Sequence, residues 1–223
     1  TGGGPSGAGK AGRGIPPAPD PLPIDVVDNH LHLDIARHGA ERGDVGEAIA
    51  AAAAVGVPRM VQIGCDLPGA RLTIGMIEEY AALLGGVALH PNEIARFESQ
   101  AALAEGLAEI ERLARHPRVR VVGETGLDYF RTGPEGQPAQ QDAFRWHIDL
   151  AKRLGKTLQI HDRDAHDDVL RILDEEGAPE RTVLHCFSGD VGMAQRAVER
   201  GFYLSFAGTV TFSSAKGLRD ALS

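Results

Sequence analysis

The sequence is short of cysteine, of aromatic residues and of positive charge. Two cysteines in 223 residues cannot build a disulfide scaffold, so reduced thiols are expected. One Trp, three Tyr and seven Phe leave no visible run of rings on which bases could stack. Lys and Arg number 23 against 31 Asp and Glu, a formal net charge of −8. That excludes wrapping of nucleic acid on a broad basic surface but permits a local grip on a few phosphates. No run approaches eighteen uncharged apolar residues, which excludes a membrane-spanning helix. No apolar run flanked by basic residues marks a secretory signal. These absences predict a cytoplasmic protein with no membrane role and no obligate protein partner.

Residues 1–24 hold seven Gly and six Pro and are expected to form a disordered tail, because they cannot bury enough surface to offset the entropy of ordering. Residues 4–10 have the spacing of a phosphate-binding P-loop. Ala11 stands where Ser or Thr should hold Mg²⁺, and no strand precedes, so this stretch is read as tail. Residues 25–223 are expected to form one domain.

Within that domain β-rich runs alternate with helical ones. Strands are expected at 26–31, 60–63, 86–89, 119–123, 157–161, 182–185 and 202–206. Helices are expected at 47–55, 70–84, 101–115, 140–154, 167–176 and 191–200. Gly56, Gly85, Pro117, Gly155, Gly177 and Gly201 read as stops. Repeated βα units imply a parallel sheet covered on both faces, and both an open doubly wound sheet and a (β/α)₈ barrel fit.

Metal-ligand types recur at the strand ends. The first strand ends Asp28-Asn29-His30-Leu31-His32, and alternation puts His30 and His32 on one face. Glu124 follows Val121-Val122-Gly123, His161 follows Leu158-Gln159-Ile160, and His185 follows Val183-Leu184. In a barrel all strand C-termini share one rim, so His30, His32, Glu124, His161 and His185 would converge there. A single His-x-His pair arises easily by chance; four separate apolar strands each ending in a ligand type do not. The set suits Zn²⁺, Mn²⁺ or Fe²⁺, with Mg²⁺ also open.

Further residues share that rim. His90 ends the third strand and is a candidate catalytic group beside Glu124. Arg131 and Arg163 are candidate phosphate contacts. Asp28 is expected to support His30. His147 reads as a packed helix residue, and His38, His116 and His166 as loop or helix-end residues. Cys186 is expected to alternate away from His185 as a buried apolar residue. Glu105, Glu109 and Arg112 read as a solvated helix face.

The run Val26-Val27-Asp28-Asn29-His30-Leu31-His32-Leu33-Asp34 resembles the opening motif of the TatD family of metal-dependent hydrolases. Gly123-Glu124-Thr125-Gly126-Leu127-Asp128-Tyr129 resembles its second signature. His161-Asp162-Arg163-Asp164-Ala165 and Leu184-His185-Cys186-Phe187-Ser188-Gly189 resemble the third and fourth, and residues 201–208 the seventh-strand region. The resemblance implies a (β/α)₈ barrel, one or two divalent ions (Zn, Mn or Mg) on His30, His32, Glu124, His161 and His185, and hydrolysis of DNA, single-stranded or at ends, by a metal-activated water. Glu124 would bridge two ions. Asn29 replaces a usual Ser. The family's Glu-Thr-Asp run after the eighth strand has no counterpart beyond Phe206. With about 250 residues typical of the barrel, the expectation is a barrel truncated before its eighth strand, unstable or poorly active alone. Two other readings stay open. One is hydrolysis of another ester or amide, such as an aminoacyl-tRNA. The other is a non-catalytic metal-binding fragment.

Overall fold

The computed structural model describes residues 17–35 and 43–223. Most of the expected tail, its P-loop spacing and His38 lie outside the described residues. Where the described chain begins, the Leu22 N–H donates to the Val55 carbonyl at 3.1 Å.

Among the described residues seven parallel strands lie in chain order: β1 (Val27–Leu31), β2 (Arg59–Gly64), β3 (Leu83–Val87), β4 (Val119–Asp128), β5 (Thr157–Arg163), β6 (Thr182–Leu184) and β7 (Tyr203–Leu204). A doubly wound sheet reverses its order at a switch point, whereas a barrel adds each strand beside the last. The uninterrupted order therefore selects the barrel. A flat sheet would hold β1 and β6 about 24 Å apart, five strand spacings. Instead His30 of β1 and His185, one residue past β6, stack with ring centroids 3.3 Å apart. The sheet is curled into most of a (β/α)₈ barrel. β1 and β7 border a cavity of about 460 Å³ lined by Asn29, His30, His185, Ser205 and Phe206 among others.

Helices α1 (Val45–Ala54), α2 (Leu67–Glu79), α3 (Pro91–Ile94), α4 (Gln100–Ala114), α5 (Gln137–Leu154), α6 (His166–Glu176), α7 (Val191–Glu199) and α8 (Lys216–Leu222) alternate with the strands. Asp44, Asp66, Ser99 and Asp190 start α1, α2, α4 and α7 by accepting a backbone N–H three residues on, the N-cap preference of short polar side chains. Ile77, Ile110, Phe144, Ile148 and Ile172 from the outer helices are buried against Leu83, Val122, Leu158 and Ile160 of the sheet. On the inner face Val61, Ile63 and Val121 form a smaller cluster with Cys65 and Leu84 packed on it.

Several boundaries differ from the sequence reading. The helix expected at 70–84 ends at Glu79, because Tyr80 turns extended (φ −111°, ψ 112°), and Leu83 and Leu84 join β3. Gly85 thus lies inside a strand rather than stopping a helix. The third strand ends at Val87, not Leu89, and His90 instead caps α3. The seventh strand is two residues long. The 3₁₀ turn Gly208–Thr211 and the short α3 were not anticipated.

Candidate metal centre

Glu124 sits in β4 between two glycines that let β4 and β5 approach. A Cβ on Gly123 would lie 2.7 Å from the Gln159 carbonyl oxygen. One on Gly126, whose φ is +136°, would lie 2.1 Å from that of His161. The ladder shifts register between Val122 and Thr125, which frees Glu124 from the regular pleat. The residue is 6% exposed, and its carboxylate meets a different set of side chains at each oxygen. Oε2 lies 3.3 Å from His30 Nε2, 3.8 Å from His32 Nε2 and 3.6 Å from Cys65 Sγ. Oε1 lies 2.7 Å from His161 Nδ1 and 3.7 Å from His90 Nε2. Burial pushes this carboxyl upward, but the hydrogen bond from His161 and the histidines gathered around it outweigh that and hold it well below the usual range.

The far nitrogen of each β1 histidine is already committed. His30 Nδ1 donates to Gln159 Oε1 at 2.8 Å, and the Gln159 amide nitrogen donates to the Asn29 carbonyl at 3.0 Å, which fixes the amide's orientation. His32 Nδ1 donates to the Ile63 carbonyl at 3.0 Å. Both Nε2 atoms therefore face inward, 3.1 Å apart, beside an anionic oxygen. Acceptors so placed repel one another unless positive charge lies between them, and a divalent cation supplies it. His185, stacked on His30, is pushed down to about 3 by burial and by His30. It is neutral at pH 7, and its buried Nδ1 has no hydrogen-bond partner. Among the described residues three clusters have ligand atoms within 4.8 Å of one another: His30, Glu124 and His185; His32, Cys65 and Glu124; and His90, Glu124 and His161. The donor chemistry fits a divalent ion, and outer partners fix ligand orientation as in known metal sites.

The structure brings together all five residues expected at the rim, with His90 added. His90 Nδ1 accepts the Asn92 N–H at 3.1 Å, and burial brings the ring down to about 4. It is a neutral imidazole whose Nε2–H faces the centre. Arg163 lines the same cavity of about 570 Å³ with His32, Glu124, His161 and His185, its guanidinium 3.7 Å above the exposed Phe130 ring. Arg131 is exposed and does not line that cavity.

Two expectations are corrected. Asp28 does not reach the His30 ring; it accepts the His30 backbone N–H at 3.0 Å, and Gln159 holds the ring instead. Cys186 does not alternate away, because β6 ends at Leu184 and Cys186 has a φ of +45°; it is half-buried and lines the His185 cavity. Elsewhere His147 is fully buried in α5, and Glu109 pairs with Arg71 and Arg112.

Sequence reading missed Gln159, Asp128 and Cys65. Asp128 accepts from His161 Nε2 at 3.2 Å and from Asn92 Nδ2 at 2.9 Å. Burial opposes charge on His161, but Glu124 and Asp128 on its two nitrogens outweigh this and raise its pKa. A polar Gln inside the apolar run Leu158-Gln159-Ile160 was the available signal. Alternation from Val61 and Ile63 was the signal for Cys65, whose thiol is pushed well above its ordinary value by burial and by Glu124.

Curled parallel strands with a histidine and carboxylate donor set at their C-terminal rim define a metal-dependent hydrolase of the β/α-barrel class. A family model described as "TatD related DNase" matches residues 27–223, and the chain belongs to that family. A metal-dependent hydrolase named TatD from Mycobacterium tuberculosis is 45% identical over 202 residues, covering 88% of this chain and 74% of that protein. The metal-dependent hydrolase YabD of Bacillus subtilis is 37% identical over 88% of this chain and 74% of its own length. The crystal structure of the TatD homologue YjjV from Escherichia coli superposes with a TM-score of 0.76 at 28% identity, covering 88% of this chain and 73% of that one.

Proposed function

We propose that the chain is a deoxyribonuclease that hydrolyses DNA phosphodiester bonds at the rim centre, with one or two divalent ions on His30, His32, Glu124, His161 and His185. The observation that carries this reading is the division of Glu124: Oε2 faces His30 and His32, and Oε1 faces His161 and His90. A carboxylate shared between two ligand sets suits a paired-ion centre for in-line displacement at phosphorus. The family description of the matching model supports the same substrate. When bound, a divalent ion supplies Lewis acidity and a more acidic water. The histidine-rich donor set favours Zn²⁺ or Mn²⁺ over Mg²⁺.

The chain's own groups do the rest. Glu124 holds negative charge between the two histidine sets. Asp128 keeps His161 turned toward Glu124. Neutral His90 offers an N–H to a phosphoryl oxygen without adding charge, and Arg163 offers a fork of donors to a second oxygen. The exposed Phe130 ring offers a base the face that Arg163 leaves uncovered. Broad charge plays no part, since arginines on the outer helices are paired: Arg71 with Glu109, Arg153 with Glu111, Arg200 with Asp174.

The test compares single-stranded DNA, an aminoacyl-tRNA and a simple aryl ester, each with Zn²⁺, Mn²⁺ and Mg²⁺. The expected result is DNA cleavage, with Glu124→Gln and His30→Ala each losing at least about 10³-fold in kcat/KM. Turnover of the aminoacyl-tRNA or the ester without DNA cleavage overturns the substrate assignment. Metal binding without any turnover makes the chain a metal-binding module.

A further inference from the structure

We propose that Cys65 is a further metal ligand, its Sγ joining His32 Nε2 and Glu124 Oε2 around one ion. The inference rests on the metal-centre reading above and extends it by a sulfur donor.

Strand alternation carries Val61 and Ile63 of β2 to the inner face, and Cys65 is the next residue in that series, one step past the strand's end. The Ile63 carbonyl that anchors His32 Nδ1 lies two residues before it, so one short segment orients His32 and presents the sulfur. The ligand atoms of His32, Cys65 and Glu124 lie within 4.8 Å of one another. With metal–sulfur near 2.3 Å and metal–oxygen near 2.0 Å, a tetrahedral site has an S···O edge of about 3.5 Å; Cys65 Sγ and Glu124 Oε2 are 3.6 Å apart. The corresponding N···O edge is about 3.3 Å, against 3.3 Å for His30 and 3.8 Å for His32. The Oε2 side of the centre is thus already close to the dimensions of a coordination shell. Ligation forms a sulfur–metal bond, breaks the S–H bond and releases one proton to solvent. A thiolate in the shell biases the site toward Zn²⁺ and Co²⁺ and away from Mg²⁺.

Cobalt(II) is the probe, because a thiolate ligand adds a near-ultraviolet charge-transfer band to its visible absorption. The full chain loaded with Co²⁺ should show both. Cys65→Ser should keep the visible bands and lose the near-ultraviolet one, and Cys186→Ser should keep both. X-ray absorption on the unmodified protein should find one sulfur scatterer at about 2.3 Å, which decides the matter even where Cys65→Ser does not fold. Visible bands without a charge-transfer band or sulfur scatterer overturn the Cys65 assignment and leave the metal centre standing. A band that survives Cys65→Ser but vanishes in Cys186→Ser moves the thiolate to Cys186 and overturns it equally. No Co²⁺ uptake at all overturns the metal centre and the Cys65 assignment together.

Discussion

Gln159 touches no substrate in this reading, yet it determines which His30 nitrogen faces the centre. Gln159→Leu removes the acceptor of His30 Nδ1 and frees the ring to flip. Affinity for Zn²⁺ should fall about 10- to 100-fold, the usual cost of losing an outer-shell partner, as read by competition with a chromophoric chelator. Unchanged affinity would mean that packing against His185 suffices to orient the ring. His147 makes a different kind of claim. It donates from Nδ1 to the Ala143 carbonyl at 2.7 Å and accepts the Leu89 N–H at Nε2, and burial brings it down to about 4. The unfolded chain binds a proton there near pH 6.5 and the folded chain near 4. The stabilisation is therefore complete above about pH 6.5 and is lost as pH falls toward 4, on the order of 3 kcal/mol. Histidine ring shifts followed by NMR should show His147 still neutral at pH 5, and protonation there near pH 6.5 would refute this. The rim histidines and Glu124 were legible in the sequence because residue type and strand end coincide. Gln159 and Asp128 were not, since their roles exist only once β5 pairs with β4 and the Gln159 side chain reaches β1.

At the scale of elements, the approach of β4 to β5 depends on Gly126. Gly126→Ala places a Cβ into the His161 carbonyl at a backbone angle that L residues rarely adopt. Stability should drop by roughly 2 kcal/mol or more, and His161 should move out of line with Glu124. Urea denaturation and Zn²⁺ titration of the same variant check both effects; a fully stable variant with normal affinity would contradict the close approach of β4 and β5. The sequence showed most strands and helices because parallel strands are continuous apolar runs bounded by Gly and Pro. It misplaced the join of α2 and β3 because Ala81, Ala82, Leu83 and Leu84 favour a helix by propensity, and pairing of Leu83 and Leu84 with β2 overrides that.

For the molecule as a whole, the side chains that face the centre come from β1, β4, β5 and the segments after β2, β3 and β6, so an ion there should stabilise the entire curl. At a free Zn²⁺ concentration one hundred times Kd, stability should rise by about 2.7 kcal/mol, and a chelator should reverse it. A melting midpoint unmoved by either would argue against a metal site. The sheet edges expose Val27 (57%) and Tyr203 (62%), which invites edge-to-edge pairing. Light scattering should show association that rises with concentration and weakens in Val27→Lys. The barrel was readable from the βα repeat and the shared rim, whereas its curvature was not, because no local pattern records how far β1 travels to meet β6.

That journey has a kinetic side. His30 and Gln159 are 129 positions apart, and closing a loop of that length costs entropy that no neighbouring contact offsets beforehand. Pairing of β2 through β5 joins strands close in sequence, whereas the bonds from β1 to Gln159 need the intervening strands already in place. The His30–Gln159 contact should then be among the last to form on refolding and the first to be lost on unfolding. The centre would assemble only on a chain that has otherwise finished folding.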